Sequence, residues 1–376
     1  EPPVDPISSS AMPELAIHVP AQEQRTYRVR IGTGLLACVA ETVGVQFPHQ
    51  APFVITDRNV ARAGHLDRLA AGRNVPCFVI DPPGEQSKHV RTVAAIVEAM
   101  DKAQLGRDTV VLALGGGTVG DIGAFAASIF KRGVPVVQVP TTALAQADSA
   151  IGGKTGVDSS VSKNALGTFW HPAAVYMDVE TLRTVDERQF RAGLVESVKH
   201  AVIADAGFFE SLEGHLDAIL SREPAALEAI AERNCRIKGR VVEQDPQEQN
   251  LRRVLNYGHT IGHAVESASR YRVLHGEAVA IGMVCAGRIE IEMGLGTHDR
   301  LHRVVALLER IGVPTRIPSD IPAEEVLRLL GHDKKATDMW PRFVLTSRVG
   351  QVHCPDGQWA VPVGREVVAR VLNQLY

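Results

Sequence analysis

Val110-Val111-Leu112-Ala113-Leu114-Gly115-Gly116-Gly117-Thr118-Val119-Gly120-Asp121 joins an apolar run to a cluster of glycines, and the reading of this stretch decides the fold. An unbroken apolar run that stops at glycine suits a strand buried on both faces, and the pattern of Ile122–Phe130 behind it is helical. Gly115, Gly117 and Gly120 satisfy the G-x-G-x-x-G spacing. With Gly116 they leave bare backbone that a pyrophosphate can approach, and the following helix offers free N–H groups and the positive end of its dipole. The acidic residue that usually holds the ribose about 20 positions later is missing from Pro135–Pro140, and Asp57 on an earlier strand can supply it.

Several strands lead up to this one. Thr26–Ile31 alternates and ends at Gly32-Thr33-Gly34, Pro52–Thr56 stops at Asp57-Arg58-Asn59, and Val75–Ile80 stops at Asp81-Pro82-Pro83-Gly84. Helical patterns such as Val93–Met100 lie among them. The expectation is an α/β N-terminal domain, residues 23–182, with a mostly parallel, Rossmann-like sheet and its ligand beyond the carboxyl ends of the strands. Asp57, Asn59, Glu85 and Lys88 follow such ends, although each alone reads equally as a turn or surface residue. Beyond Val134–Val139 the chain turns polar, with Thr141, Thr142, Gln146, Asp148, Gly152-Gly153-Lys154-Thr155-Gly156, Lys163 and Asn164. Gly-Gly-Lys-Thr lacks the spacing of an ATP-hydrolysing phosphate loop. Two lysines and an asparagine at a sheet's ligand edge still suit a phosphorylated substrate.

From Leu182 the periods lengthen. Phe190–Ile203, Phe208–Leu220, Pro224–Glu243, Gly258–Ser269, Glu277–Met293 and Leu301–Ile311 read as helices of a mainly α-helical C-terminal domain, residues 183–376, with a late strand at Arg342–Thr346. His259 and His263 stand four apart, hence on one helix face, and His275 returns after a break at Ser269–Val273. Three imidazoles suit a catalytic zinc with one open position; an ordinary helix that happens to carry histidines is the plain alternative. Glu196 and Lys199, three apart, read as a solvated ion pair, and Lys238 and Arg252 can equally be surface charge.

Composition narrows the function classes. The chain has 376 residues, 45% hydrophobic and 22% charged, with a net charge of −3, which gives no electrostatic case for nucleic acid or a membrane surface. The five cysteines are scattered and form no Cys-x-x-Cys, which argues for a reducing compartment and against a thiolate zinc site. No apolar run approaches the roughly 20 residues needed to cross a bilayer. Residues 1–22 read as a loose polar tail and not a signal peptide, so the cytoplasm is the expected location.

Taken in order, these segments resemble the sugar-phosphate cyclases, and most closely their 3-dehydroquinate synthase branch, from about Thr26 to Gly350. The resemblance is carried by Gly115-Gly116-Gly117-x-x-Gly120-Asp121, Lys131-Arg132-Gly133, Pro140-Thr141-Thr142, Asp148 through Gly156, and Lys163-Asn164. It continues through Gly193-x-x-Glu196-x-x-Lys199, Arg252-x-x-Leu255-Asn256-x-Gly258-His259-Thr260-x-Gly262-His263-Ala264, His275-Gly276-Glu277 and Asp333-Lys334-Lys335. One departure is Asp158, where the family often has Asn.

The resemblance implies that Glu196, His259 and His275 hold one divalent metal, zinc or cobalt, and it moves His263 from the metal to the substrate. It implies that the glycine loop, Asp57, Asn59, Glu85, Lys88, Asp121, Thr141, Thr142 and Lys163 bind NAD. Lys154, Asn164, His263 and a lysine of the Lys334-Lys335 pair, taken as Lys335, would hold the substrate phosphate. Arg132 would reach across the interface of a homodimer, and Asp148, Lys199, Lys238, Arg252 and Asn256 would line the rest of the pocket. The implied reaction is that of the shikimate pathway: NAD is reduced and re-oxidised within each turnover, phosphate leaves by β-elimination, and an aldol step closes the ring. Lys238 and Arg252 match positions near a substrate carboxylate, which favours 3-deoxy-D-arabino-heptulosonate 7-phosphate over sedoheptulose 7-phosphate or glucose 6-phosphate. The rivals are another sugar-phosphate cyclase, of the 2-epi-5-epi-valiolone or 2-deoxy-scyllo-inosose synthase type, and a metal- and NAD-dependent polyol dehydrogenase.

Overall fold

The structure is a computed structural model and describes residues 26–331 and 340–375. The polar tail and the Asp333-Lys334-Lys335 segment lie outside the described residues. Six parallel strands form the central sheet: β1 (Arg28–Gly32), β2 (Ala51–Asp57), β3 (Cys77–Ile80), β4 (Thr109–Gly115), β5 (Val136–Pro140) and β6 (Ala174–Asp178), in the order β1-β6-β5-β4-β2-β3. Every residue of β4, β5 and β6 is buried, as their continuous apolar runs require. Alternation along β4 feeds two cores. Val111 and Ala113 pack with Ile122, Val93 and Ile96 on one face, while Val110, Leu112 and Leu114 pack with Leu36, Val39 and Leu69 on the other. A side chain such as Leu112, fully buried, contributes about 1.5–3 kcal/mol.

The strand order creates the site. The chain moves outward from β2 to β3, then returns to the far side of β2 with β4 and continues to β5 and β6. The crevice between the carboxyl ends of β2 and β4 is therefore the topological switch point, and Asp57 and Gly115 end those two strands.

After β6 a short 3-10 turn, Val179–Thr184, leads into the helix Glu187–Ala204. The helices Pro224–Gln244, His259–Ala268, His275–Glu292 and His298–Ile311 follow, close to the expected spans. Others differ. The expected helix Phe208–Leu220 is broken at His215 into Ala206–Gly214 and Leu216–Leu220. The expected strand Arg342–Thr346 is two fragments, Arg342–Phe343 and Thr346–Arg348, which pair with different partners on either side of buried Val344 and Leu345. Strand β6 and the helices Leu36–Gln46, Ala323–Leu330 and Arg365–Asn373 were not anticipated.

Glycines let the central helices meet backbone to backbone. A Cβ on Gly276 would lie 1.9 Å from the Ala192 carbonyl oxygen, and one on Gly282 would lie 1.9 Å from that of Gly258. Any larger residue at either position would have to push a helix aside.

Candidate active site

At the switch point the loop leaves β4, Gly116 takes an extended conformation, and the helix Gly117–Ile129 begins with its N–H groups free to meet an anion. The glycines serve packing as well as access. A Cβ on Gly115 would sit 2.6 Å from Val119 Cβ, and one on Gly120 would sit 2.8 Å from Gln138 Oε1. Asp57 caps the next short helix by accepting from the Val60 N–H at 2.9 Å, with Asn59 one residue inside it. Thr141 donates its N–H to the Gly115 carbonyl, and Thr142 packs against Gly116.

Charge runs along this crevice in alternation. Lys88 meets Asp121 at 2.8 Å and Glu85 at 4.0 Å; Glu85 accepts from the Thr118 hydroxyl and lies 3.2 Å from Lys163. Lys163 reaches on to Glu266 at 3.0 Å and stands over the Tyr271 ring. The acid at Asp158 keeps its loop in place, its carboxylate accepting from the Asn164 main-chain N–H at 2.7 Å.

Glu266 joins the crevice to the histidines. His259 and His263 project from the helix His259–Ala268, and His275 opens the next helix. The ligand nitrogens of the three imidazoles lie within 4.8 Å of one another. His259 Nε2 and His275 Nε2 each lie 3.6 Å from the same oxygen of Glu196. Their outer nitrogens are anchored, Nδ1 of His259 to the Tyr257 carbonyl at 3.1 Å and Nδ1 of His275 to Glu266 at 3.4 Å. Such anchoring turns the Nε2 lone pairs inward, as metal-binding imidazoles require.

Both Glu196 carboxylate oxygens are buried without a hydrogen-bond partner, although Lys199 forms an ion pair with the group. Two inward imidazoles and an under-satisfied buried carboxylate fit a divalent cation of the zinc or cobalt kind. In the metal-free chain, burial pushes His259 down to about 3. Burial also works against the His275 proton, but the Glu196 and Glu266 carboxylates beside it outweigh it and raise His275 to about 9. Glu266, opposed by burial, is held down to about 2 by His275 and Lys163.

Glu196 and Lys199 are each at most 1% exposed, so the solvated ion pair expected from their spacing is a buried one. Lys199 lies 3.9 Å from Asp148, and Lys238, 5% exposed, reaches Asp148 Oδ1 at 2.8 Å and its carbonyl at 2.6 Å. Burial would raise the Asp148 carboxyl, but the Lys238 and Lys199 ammoniums hold it well below the usual carboxylate range. Asp148, Glu196 and His200 also gather their ligand atoms within 4.8 Å, but the two ammoniums already supply the cation there. Arg252, 2% exposed, is likewise no surface charge: it donates to the carbonyls of Gly152 and Pro246 at 2.9 Å each, and its Nε is buried without a partner.

The remaining expected residues are more open. Lys154 pairs with Glu248, and Asn164 is exposed at a left-handed φ of 50°. Asn256 ends the 3-10 turn Leu251–Asn256 and lines a small cleft with Gly258 and Thr260. Arg132 is exposed at φ 72°, beside Lys131, which pairs with Asp101. Lys335 lies outside the described residues. Three polar residues of the site were missed: His200, Asn234 and Glu266. The available signal was spacing, since Glu196/His200 and Asn234/Lys238 are each four apart on two packed helices, and Glu266 is three from His263.

Among the described residues no helix is long and apolar enough to cross a membrane. Family profiles described as 3-dehydroquinate synthase N-terminal and 3-dehydroquinate synthase C-terminal match residues 78–192 and 193–336. The chain is 43% identical over 331 residues to a 3-dehydroquinate synthase of Acidithiobacillus ferrooxidans, covering 87% of this chain and 90% of that one. A 3-dehydroquinate synthase of Symbiobacterium thermophilum is 41% identical over 335 residues, with 88% and 93% covered.

Among solved structures, a 2-epi-5-epi-valiolone synthase from Streptomyces hygroscopicus with NAD+ and Zn2+ bound superposes with a TM-score of 0.84 at 30% identity, covering 96% of this chain and 99% of that one. A 2-deoxy-scyllo-inosose synthase complexed with carbaglucose-6-phosphate, NAD+ and Co2+ also gives 0.84, at 27% identity, with 93% and 96% covered. A glycerol dehydrogenase from Schizosaccharomyces pombe, with a TM-score of 0.64 at 17% identity over 94% of this chain and 91% of that one, shares the fold alone. Identity above 40% over almost the whole of both curated relatives, with both profiles matched in order, establishes that the chain belongs to the 3-dehydroquinate synthase family.

Proposed function

We propose that the protein converts 3-deoxy-D-arabino-heptulosonate 7-phosphate to 3-dehydroquinate and phosphate, using NAD and one divalent metal. When bound, these groups supply reversible hydride transfer and Lewis-acid polarisation of a carbinol. Glu196, His259 and His275 hold the metal, and Glu266 and the Tyr257 carbonyl keep the imidazoles turned toward it. Gly115, Gly116, Gly117 and Gly120 receive the pyrophosphate at the helix N-terminus. Asp57, Asn59, Glu85, Lys88, Asp121, Thr141, Thr142 and Lys163 complete the nucleotide crevice. Lys154, Asn164, His263 and Lys335 take the substrate phosphate, and Asp148, Lys199 and Asn256 line the pocket. Positioning and charge stabilisation are the protein's share of the chemistry. The active unit is a cytoplasmic homodimer with Arg132 crossing its interface, and residues 23–182 and 183–376 act as its nucleotide and metal halves.

The observation that carries the substrate choice is the burial of Lys238 and Arg252, at 5% and 2% exposure, with Lys238 on Asp148 and Arg252 on the Gly152 carbonyl. Buried cations suit a substrate that brings a carboxylate as well as a phosphate, because a buried carboxylate without a partner is costly. The likeness to 2-epi-5-epi-valiolone and 2-deoxy-scyllo-inosose synthases keeps one other reading alive, a cyclase for a sugar phosphate without the carboxylate. Purified protein loaded with NAD and zinc should release phosphate from the heptulosonate with no net gain of NADH. Equal efficiency on sedoheptulose 7-phosphate would transfer the protein to that other reading, and net NADH would make it a polyol dehydrogenase.

A further inference from the structure

His200 is the one buried histidine on the helix that carries Glu196 and Lys199, and it is wholly inaccessible. Its Nδ1 lies 3.0 Å from Asn234 Oδ1, and Asn234 Nδ2 lies 2.8 Å from Ser197 Oγ. Its Nε2 points at Asp148 Oδ1 across 3.7 Å. His200 Nε2 has no hydrogen-bond partner, and Asp148 Oδ1 has only the Lys238 ammonium beside it, at 2.8 Å. With the Asn234 amide in this orientation, His200 must donate from Nδ1, so a neutral ring turns its Nε2 lone pair toward a carboxylate. Two buried acceptors would then face each other, which leaves the His200 Nε2 lone pair without a donor.

Exchanging the amide oxygen and nitrogen, which occupy nearly the same space, removes the conflict. The Ser197 hydroxyl then donates to Asn234 Oδ1, Asn234 Nδ2 donates to His200 Nδ1, and His200 Nε2–H points at Asp148 Oδ1. Each donor in the chain then faces an acceptor, the last pair across 3.7 Å. Burial and the neighbouring Lys199 ammonium both disfavour a charged ring, which leaves the neutral tautomer as the occupant.

We infer that His200, held in its Nε2–H tautomer by Asn234 and Ser197, is a positioning residue that fixes Asp148 from behind and thereby sets where Lys238 and Lys199 present their charges. Asp148 is the natural target, since 27% of its side chain remains exposed while Lys238 lies 2.8 Å from the same oxygen that His200 faces. The inference rests on the proposed place of Asp148, Lys199 and Lys238 in the substrate pocket. It adds a residue that touches neither metal nor nucleotide.

The first test reads the wild-type ring directly and uses a variant only to assign its signal. Nitrogen-15 spectra of selectively histidine-labelled wild-type protein, with the His200 signal assigned by its absence in H200Q, should show the lone pair at Nδ1 and the proton at Nε2. A proton at Nδ1 overturns the inference. The second test compares substitutions by their kinetics. Gln at position 200 can place an amide N–H near the Nε2 position, whereas Phe and the shorter Asn cannot. H200Q should therefore stay within about threefold of wild type, while H200F and H200N raise KM for the heptulosonate roughly tenfold or more, the size of a lost hydrogen bond to a charged group. NAD and zinc affinities, measured by titration calorimetry, should move less than about threefold in all three. If H200Q is as impaired as H200F, or if NAD and zinc affinity fall in step with KM, His200 is merely packed and the inference fails. Absence of turnover in the wild type would defeat the proposed function instead, while the tautomer would still be read from the spectra.

Discussion

The wall of the cleft at the glycine loop is made largely of main chain, whereas the wall carrying the histidines is made of buried charge. The first relies on a strand end, a tight turn and a helix N-terminus, all of which follow from apolar runs and absent side chains. The second places Glu196, Lys199, Lys238 and Arg252 at no more than 5% exposure, where each charge depends on a partner. A main-chain site tolerates the loss of any one side-chain charge but not added bulk. A charged site has the opposite weakness, because removing one partner leaves another stranded in a poorly solvating interior. Lys163 bridges the two walls, touching Glu85 on one and Glu266 on the other.

Substitutions can break this contrast in order of expected effect. Glu196→Gln should abolish zinc binding and turnover. It should also lower unfolding stability of the metal-free protein by about 3–5 kcal/mol, since Lys199 is then left buried with only Asp148 near it; urea unfolding and metal analysis give both readouts. Survival of tight zinc binding in this variant would remove Glu196 from the metal site.

Lys154→Ala comes next, with phosphate release reduced by a factor on the order of 100 while NAD affinity is nearly unchanged. Loss of NAD affinity with normal turnover would move Lys154 to the nucleotide wall.

Gly115→Ala probes the main-chain wall. A methyl 2.6 Å from Val119 has no flexible neighbour to displace, so the expected penalty is about 1–3 kcal/mol of stability and weaker NAD binding. Zinc affinity should hold, and a thermal melt beside two calorimetric titrations separates the walls.

The smallest effect concerns pH. His275 in the metal-free chain is raised to about 9 from its ordinary range, so below that pH a metal must displace a proton to bind. Zinc affinity should climb by up to about tenfold per pH unit between roughly 6.5 and 9 and then level off. The stability that the same proton gives the metal-free fold is fully present below about 6.5 and is lost as pH rises through about 9. An affinity flat across that window would mean that His275 is already neutral.

The contrast between the walls also explains what could be read from the chain. Strands β2 and β4, the glycine turn and the long helices announce themselves because apolar periodicity and glycine act locally. Strand β6 escaped because Ala174–Asp178 has no glycine at its end and runs directly into a 3-10 turn. The late strand was misread because Arg342–Thr346 is apolar at its centre, yet Val344 and Leu345 serve the helical core and not a sheet. Of the candidate site, the residues expected at the metal and at the phosphate were singled out mainly through resemblance. Local pattern alone offered surface charge for Lys238 and Arg252, because burial of a charge is decided by partners distant in sequence, here Asp148 and Gly152. His200 and Asn234 were silent for the same reason: each looks like an ordinary helix residue until the facing helix is placed.

The backbone contacts at Gly276 and Gly282 carry a mechanical consequence. Helices that touch main chain to main chain have no side-chain layer to shear against. The segments bearing Glu196, His259 and His275 therefore form one stiff block, with Ala192 against Gly276 and Gly258 against Gly282 as its seams. Any narrowing of the cleft would carry that block as a unit and leave the spacing of Glu196, His259 and His275 unchanged.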